Sequence, residues 1–374
     1  MQRVGIGIIG CGVISGAYLK AASAFPILDI RALADLSPAA AKARGKEFGV
    51  KAVSVEELLG DPAIEIVLNL TVPKAHVEVA TRAIEAGKHV HSEKPLGITT
   101  DEARPLLARA AKKKLRVGSA PDTFLGGSHQ TCRKLIDEGK IGTPIAGTAF
   151  FMCAGHERWH PAPAFYYLEG GGPMLDMGPY YITALVNLLG PVASVSGAAS
   201  RIRDERLITS KPLAGTRIPV EVATHVAGTL IFASGALVSI AMSFDVARHR
   251  HRPIELYGSE GALCVPDPNY FGGTIELATA KLDWREVPTE HIYADGNYRS
   301  IGVADMAHAI RSGRPHRASG ELAFHVLEVM QAFQESSDRR RHVDIKSRPE
   351  RPAMLPLGLA KGELDRPKRK KDKT

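Results

Sequence analysis

Lys94, Asp176 and Tyr180 are the side chains whose types and spacing most readily suggest chemistry. Lys94 lies in His91-Ser92-Glu93-Lys94-Pro95-Leu96, directly after the short β-like run Lys88 to His91. Asp176 and Tyr180 stand four residues apart in Gly170-Gly-Gly-Pro-Met-Leu-Asp176-Met-Gly178-Pro-Tyr180, at a predicted helix start. Helical geometry there points both from one face. An ammonium can donate to a reacting oxygen and stabilise a developing alkoxide. A phenol can pass a proton, but with a pKa of about 10 it needs a neighbouring cation to act as a base near neutrality. Asp176 would orient the lysine and a substrate hydroxyl. It also reads as a simple helix cap, and Tyr180 or Tyr181 as packing.

These groups need a scaffold, and the first third of the chain supplies one. Residues 3–9 read as a buried strand, followed by Gly10-Cys-Gly12-Val-Ile-Ser15 and a helix over 13–24. This Gly-x-Gly-x-x-Ser run is a form of the dinucleotide fingerprint: a tight turn, a close backbone approach to pyrophosphate, and a small residue for helix–strand packing. Gly10, Gly12, Val13 and Ile14 are the candidate contacts, with phosphate on the helix N-terminus. A second strand, Leu28 to Ala34, ends in Asp35, about 20 residues beyond the glycines, where a carboxylate can bind the adenosine ribose. The acid, with no arginine immediately after it, favours NAD over NADP. Asp35 could instead cap the next helix, although Ser37-Pro38 can serve as that cap and first turn. Strands over 50–53, 65–70, 88–91 and 116–118 alternate with helices over 55–59, 76–86 and 100–113, which predicts a doubly wound parallel sheet. Thr71, Pro73 and His76 then follow one strand end, with Pro73 shaping the turn beneath the nicotinamide ribose. Glu93 and Lys94 leave the next strand end, where open α/β sheets bind ligands.

Taken in order, Gly10-Cys-Gly12, Thr71-Val-Pro73-x-x-His76, Glu93-Lys94-Pro95 and Gly170 to Tyr180 resemble the glucose–fructose oxidoreductase, inositol dehydrogenase and rhizopine-catabolism (Gfo/Idh/MocA) family. The resemblance spans roughly residues 3 to 345. It implies a two-domain NAD(P)-dependent oxidoreductase acting on sugars, polyols and related alcohols. It also carries the family's catalytic lysine onto Lys94 and makes Lys94–Pro95 a candidate cis bond. The chain departs from the commoner family form at Tyr180, where histidine is frequent. It departs again at Ala120-Pro-Asp122-Thr-Phe, where many relatives carry an arginine, so their substrate contacts do not transfer.

After residue 122 the pattern changes. A helix over 130–138 leads into a strand over 145–153, and a helix is expected over Tyr180 to Leu189. Strands over 192–200, 220–232, 236–245, 254–257 and 274–278 suggest an open, mainly antiparallel sheet, and helices are expected over 303–312 and 319–337. The domain reading is therefore 1–121 for the cofactor and 122–345, an α+β domain, for substrate and oligomerisation, followed by an extended segment and basic tail over 346–374. The uncovered face of the second sheet calls for a second copy, as a homodimer or homotetramer. Asp122, at the end of the first domain, is a candidate substrate ligand. So are Trp159 and His160 in the loop His156-Glu-Arg158-Trp159-His160-Pro, where the indole can stack on a sugar or simply pack on its own domain. Asn297-Tyr-Arg299, before a helix, is a further cleft candidate. The Arg248-His-Arg250-His-Arg252 cluster reads as a solvated strand end.

With 44% hydrophobic and 24% charged residues, wholesale disorder is excluded. The four cysteines, Cys11, Cys132, Cys153 and Cys264, lie far apart without metal-ligand spacing. They fit free thiols in a reducing compartment. No secretory leader is expected, no run is long enough for a membrane span, and the expected location is cytoplasmic. Residues 361–374 hold seven Lys/Arg against three Asp/Glu, +4 of the net +8, so the charge is that of a solvated tail and implies no specific nucleic-acid binding. The leading function is hydride exchange between nicotinamide and a secondary alcohol or ketone. The alternatives are a cofactor-retaining enzyme that uses transient oxidation for net lyase or hydrolase chemistry, and a non-catalytic nucleotide-binding regulator.

Overall fold

The computed structural model describes residues 2–366. Its first sheet is built from β1 (Val4–Ile9), β2 (Leu28–Ala34), β3 (Lys51–Ala52), β4 (Ile66–Asn69), β5 (His89–Ser92) and β6 (Val117–Ser119). Their order is β3-β2-β1-β4-β5-β6, and every pair is parallel. Helices α1 (Val13–Ala22), α2 (Pro38–Phe48), α3 (Val55–Gly60), α4 (His76–Glu85) and α5 (Thr100–Lys112) alternate with the strands. β1 and β4 are buried at every residue, as a doubly wound sheet covered on both faces requires. The helices begin where sequence chemistry lets them. Ser37 accepts from the Ala40 N–H with Pro38 in the first turn, while Ser54 and Thr99 form reciprocal capping boxes with Glu57 and Glu102. The strand order reverses between β1 and β4, so their carboxyl ends open a crevice at the switch point.

The second sheet mixes expected and unexpected elements. α6 (Gly127–Asp137), β7 (Pro144–Met152), α7 (Pro173–Leu189) and β8 (Val192–Ser200) lead to a two-stranded ribbon of β9 (Glu205–Leu207) and β10 (Arg217–Pro219). Then follow β11 (His225–Phe232), β12 (Leu237–Ser243), β13 (Ile254–Gly258), β14 (Gly261–Val265), β15 (Ile275–Thr279), β16 (Leu282–Val287), α8 (Ile301–Ser312), α9 (Gly320–Arg339) and β17 (Val343–Asp344). Nine strands pair as β16-β15-β14-β13-β7-β12-β11-β8-β17, antiparallel except for β12 on β7. α7 and α9 pack on one face. Register places Ala146, Thr148, Phe150, Leu237, Ser239 and Tyr257 together on the other, and Leu237 and Tyr257 there are exposed.

Three expectations need correction. Helix α7 starts at Pro173 rather than near Tyr180, so Pro179 falls in its interior instead of its first turn. Pro179 has no N–H, so the carbonyl four residues back loses its ladder partner. The Asp176 carbonyl next to it accepts from the Lys94 ammonium at 2.7 Å. Second, α8 packs back on the first sheet. Ser300 Oγ donates to the Tyr18 carbonyl, and Arg311 binds the Glu65 carboxylate and the Arg3 carbonyl. Third, the solvated tail expected from residue 361 does not hold for 361–366. Leu364 is fully buried, the Tyr293 hydroxyl donates to the Glu363 carbonyl, and Asp365 pairs with Arg314. The rest of that tail lies outside the described residues.

Candidate active site

The cofactor side is made by the β1–α1 turn. Gly10 adopts φ +105°, and a Cβ there would come within 2.5 Å of the Leu70 carbonyl, so glycine is required. Above Gly12, by contrast, a Cβ would meet nothing within 4 Å. Gly12 is the N-cap of α1 and provides no side-chain cap, which leaves first-turn N–H groups facing open space. Val13 is exposed and Ile14 half-buried beside it. The open cradle over Gly12 fits a pyrophosphate. Ser15 is fully buried, its hydroxyl donating to the Gly12 carbonyl at 2.6 Å. Asp35 accepts from the Cys11 N–H at 2.7 Å and from the Ser37 N–H at 2.8 Å, tying the glycine turn to the end of β2. Arg44, not anticipated from sequence, donates to the Gly12 carbonyl at 3.0 Å and pairs with Glu47 at 2.6 Å.

Three residues expected at the cofactor point elsewhere. His76 is buried, its Nδ1 2.7 Å from the Pro95 carbonyl and its Nε2 3.0 Å from the Thr71 carbonyl. It bridges the β4 and β5 exit loops, and burial lowers its pKa against the opposing pull of the two carbonyls. The Thr71 hydroxyl donates inward to Asn69, and Pro73 opens a short 3₁₀ turn that delivers His76. Glu93 is also buried. Its carboxylate accepts from the Tyr18 hydroxyl at 2.7 Å and from the Lys94 N–H at 2.9 Å, so it fixes the lysine's backbone.

Lys94 leaves β5 through a cis peptide to Pro95. Its Nζ donates to Asp176 Oδ1 at 2.8 Å and to the Asp176 carbonyl at 2.7 Å. An ammonium has three donors, so one N–H is left for the cleft. Burial opposes the charge, but Asp176, Tyr180 and Glu93 together outweigh it and hold the lysine pKa above its ordinary value. Burial likewise pushes the Asp176 carboxyl up, and Lys94 and His156 overcome this to bring it to about 2. Tyr180 is 5% exposed, with the Lys94 Nζ 5.3 Å from its ring centroid.

The structure adds two partners. His156 Nε2 lies 3.1 Å from Asp176 Oδ2, and the Trp159 indole N–H donates to His156 Nδ1 at 3.1 Å. The indole therefore fixes the tautomer in which Nε2–H donates to Asp176. Arg299 donates to the Tyr180 hydroxyl oxygen at 3.0 Å. The only sequence signal for His156 was its place in an aromatic, charged loop. For Arg299 it was position just before a helix. Trp159 is 61% exposed and His160 half-buried, their ring centroids 5.3 Å apart at the mouth of the site. Asp122 is a correction: it is fully buried, accepts from the Gly302 N–H at 2.9 Å and sits behind Arg299, out of a substrate's reach. Burial raises its pKa to about 6.

Among the described residues no group of three or more His, Cys, Asp or Glu side chains forms a candidate metal site, and no helix is long and apolar enough to cross a membrane. A switch-point crevice and an open glycine cradle fit a nicotinamide-dependent oxidoreductase. Residues 4–120 match the oxidoreductase family with an NAD-binding Rossmann fold, and residues 129–264 match the GFO/IDH/MocA C-terminal domain. The chain belongs to the GFO/IDH/MocA family. Levoglucosan dehydrogenase of Pseudarthrobacter phenanthrenivorans is 24% identical over 92% of this chain and 99% of its own length. 1,5-Anhydro-D-fructose reductase of Ensifer adhaerens is 29% identical over 60% of this chain and 63% of its own. In fold, the chain is similar to levoglucosan dehydrogenase in complex with NADH and L-sorbose, with a TM-score of 0.82 at 23% identity, covering 93% of this chain and 100% of that one.

Proposed function

We propose that the protein oxidises a secondary hydroxyl of a sugar, polyol or glycoside with NAD, or reduces the matching ketone. The observation that carries this reading is the grouping of the Lys94 ammonium, held on Asp176 and 5.3 Å from the Tyr180 ring, with the Tyr180 hydroxyl that Arg299 fixes. When bound, the nicotinamide supplies the hydride acceptor. Gly10, Gly12, Val13 and Ile14 would hold the pyrophosphate, and Asp35 and Thr71 would flank the ribose units. Lys94 donates to the substrate oxygen and stabilises negative charge as it develops. Tyr180, as its phenolate, accepts the hydroxyl proton and becomes phenol. Asp176, anionic throughout, holds the ammonium in place and offers a remaining lone pair to a second hydroxyl. Trp159 and His160 present an aromatic wall of the kind that stacks on a sugar ring. The names of the relatives support a carbohydrate substrate.

The exposed Leu237 and Tyr257 on the open face of the second sheet support a homodimer or homotetramer through that face. Unpaired thiols support a cytoplasmic setting. The test is NADH formation across monosaccharides, inositols, sugar acids and anhydro sugars, with NADP in parallel. Turnover is expected on at least one carbohydrate class with NAD preferred. Tightly retained NAD without net NADH on any of them would replace dehydrogenation with internal, transient oxidation.

A further inference from the structure

An arginine side chain has five N–H donors and no acceptor. The 3.0 Å contact between Arg299 Nη1 and Tyr180 Oη therefore has one direction: the phenol oxygen accepts. The phenol's own hydrogen must point elsewhere, and the cleft that receives the free Lys94 N–H is beside it. Arg299 is also fixed from behind. Its Nη2 donates to Asn269 Oδ1 at 2.9 Å, and Asn269 is held in turn by Asp267. The Arg299 guanidinium carbon lies 5.4 Å from the Tyr180 ring centroid, and the Lys94 Nζ 5.3 Å from it. Two cations thus flank one buried phenol.

We propose that Arg299 is the positioning residue that makes Tyr180 the proton acceptor, by fixing the phenol oxygen and stabilising the phenolate that takes the substrate hydroxyl proton and becomes phenol as it does so. The inference rests on the reading of Tyr180 given above. The charges around Tyr180 come from several elements. Lys94 and Glu93 face it from the β5 exit and Arg299 from the approach to α8. Asp176 lies one turn back on α7, and Tyr166 comes from the loop before it. Glu93, Tyr18 of α1 and Asp122 also lie around Arg299. Burial pushes the Tyr180 phenol up, and Lys94 and then Arg299 pull it back. Without Arg299, one cation would be left to oppose burial.

The test compares Arg299→Met and Arg299→Lys in wild-type and Tyr180→Phe backgrounds. With a substrate in hand, the acid limb of the kcat profile should move alkaline by about 1–2 pH units in Arg299→Met, a loss of roughly 10–100-fold below that limb. Arg299→Lys should move it less. In the Tyr180→Phe background, Arg299→Met should add less than about twofold. A uniform loss with an unmoved profile would show a structural role and overturn the proposal. If Arg299→Met does not fold, Arg299→Lys decides, and an unshifted profile there overturns it equally. A second readout needs no turnover. Carbon-13 labelling of the tyrosine ζ-carbon with NAD added, Tyr180 being assigned by its absence in Tyr180→Phe, follows phenol ionisation by NMR. A later midpoint in Arg299→Met than in wild type supports the proposal. Equal midpoints, or a wild-type Tyr180 still protonated at about pH 11, overturn it. If no carbohydrate is turned over, the proposed function fails while the midpoints still judge Arg299.

Discussion

At the β1–α1 turn the site is made of backbone: a glycine whose φ no other residue adopts comfortably, an uncapped helix start and open space above Gly12. Across the crevice it is made of side chains drawn from separate segments: Lys94, His156, Trp159, Asp176, Tyr180 and Arg299, each held by another of the set. A backbone site is specified by local sequence, because one turn fixes its geometry. A side-chain network is specified by tertiary packing, and each member's chemistry depends on a neighbour far away in the chain. The two sides should therefore fail differently when mutated.

The largest separation is expected between Lys94 and Gly12. Lys94→Ala removes the proposed donor to the reacting oxygen and should lower kcat at least about 10³-fold, while NADH affinity by fluorescence titration stays within about threefold. Gly12→Asp puts a carboxylate into the pyrophosphate cradle and should weaken NADH about 100-fold or more. Its fold should survive, because a Cβ there meets nothing. If Lys94→Ala retained wild-type turnover, the contrast would collapse. Gly10→Ala belongs with neither: its Cβ would strike the Leu70 backbone at 2.5 Å with φ at +105°. Urea unfolding should register a loss of about 3 kcal/mol, and an unchanged midpoint would mean that the turn relaxes freely.

This division explains what could be read in advance. The parallel sheet, the glycine turn, Asp35 and the lysine at a strand end were legible because periodicity and turn chemistry act within a few residues. Asp176 and Tyr180 were legible from helical spacing, although the proline within their helix made its start look later than Pro173. Arg299 stood among the cleft candidates, but its partner and that of His156 were not legible, since nothing local tells a histidine which carboxylate it will meet 20 residues on, or an arginine which phenol lies 119 residues back. Asp122 and His76 misled for the reverse reason. Both stand at strand ends that face a crevice, yet packing turns Asp122 toward Gly302 and His76 toward two backbone carbonyls.

Buried titratable groups extend the comparison to stability. Burial lowers His91 to about 3, and His89, His129 and His325 to about 4. Against an unfolded value of about 6.5, each contributes stability that is complete above that pH and is lost as pH falls toward the folded value. Asp122 has the opposite sign. Raised to about 6, it binds a proton more readily when folded, so acidification between about 6 and 3.8 favours the fold. These four histidines outweigh the one carboxyl, so unfolding near pH 5 takes up protons and stability falls as the pH is lowered. His91 has neither ring nitrogen partnered and sits in the strand that delivers Lys94. His91→Leu should flatten that slope by about one proton, and Asp122→Asn should steepen it by about one. Urea midpoints taken from pH 7 to 4.5 measure both, and slopes that change in the same direction for the two variants would contradict the assignment.

The smallest effect is expected at Trp159, where the two roles of one side chain can be separated. Its indole face is solvent-exposed at the mouth of the site, and its N–H holds His156 in the tautomer that donates to Asp176, which in turn binds Lys94. Trp159→Phe keeps an aromatic face and deletes the N–H. It should lower kcat about threefold with KM nearly constant, because a freed histidine only loosens the carboxylate that orients the ammonium. His156→Ala removes the link entirely and should lower kcat about tenfold by the same route. Trp159→Ala should add a rise in KM if the indole stacks on the substrate. A KM unchanged in Trp159→Ala, with kcat unchanged in Trp159→Phe, would reduce Trp159 to packing and end the network at His156.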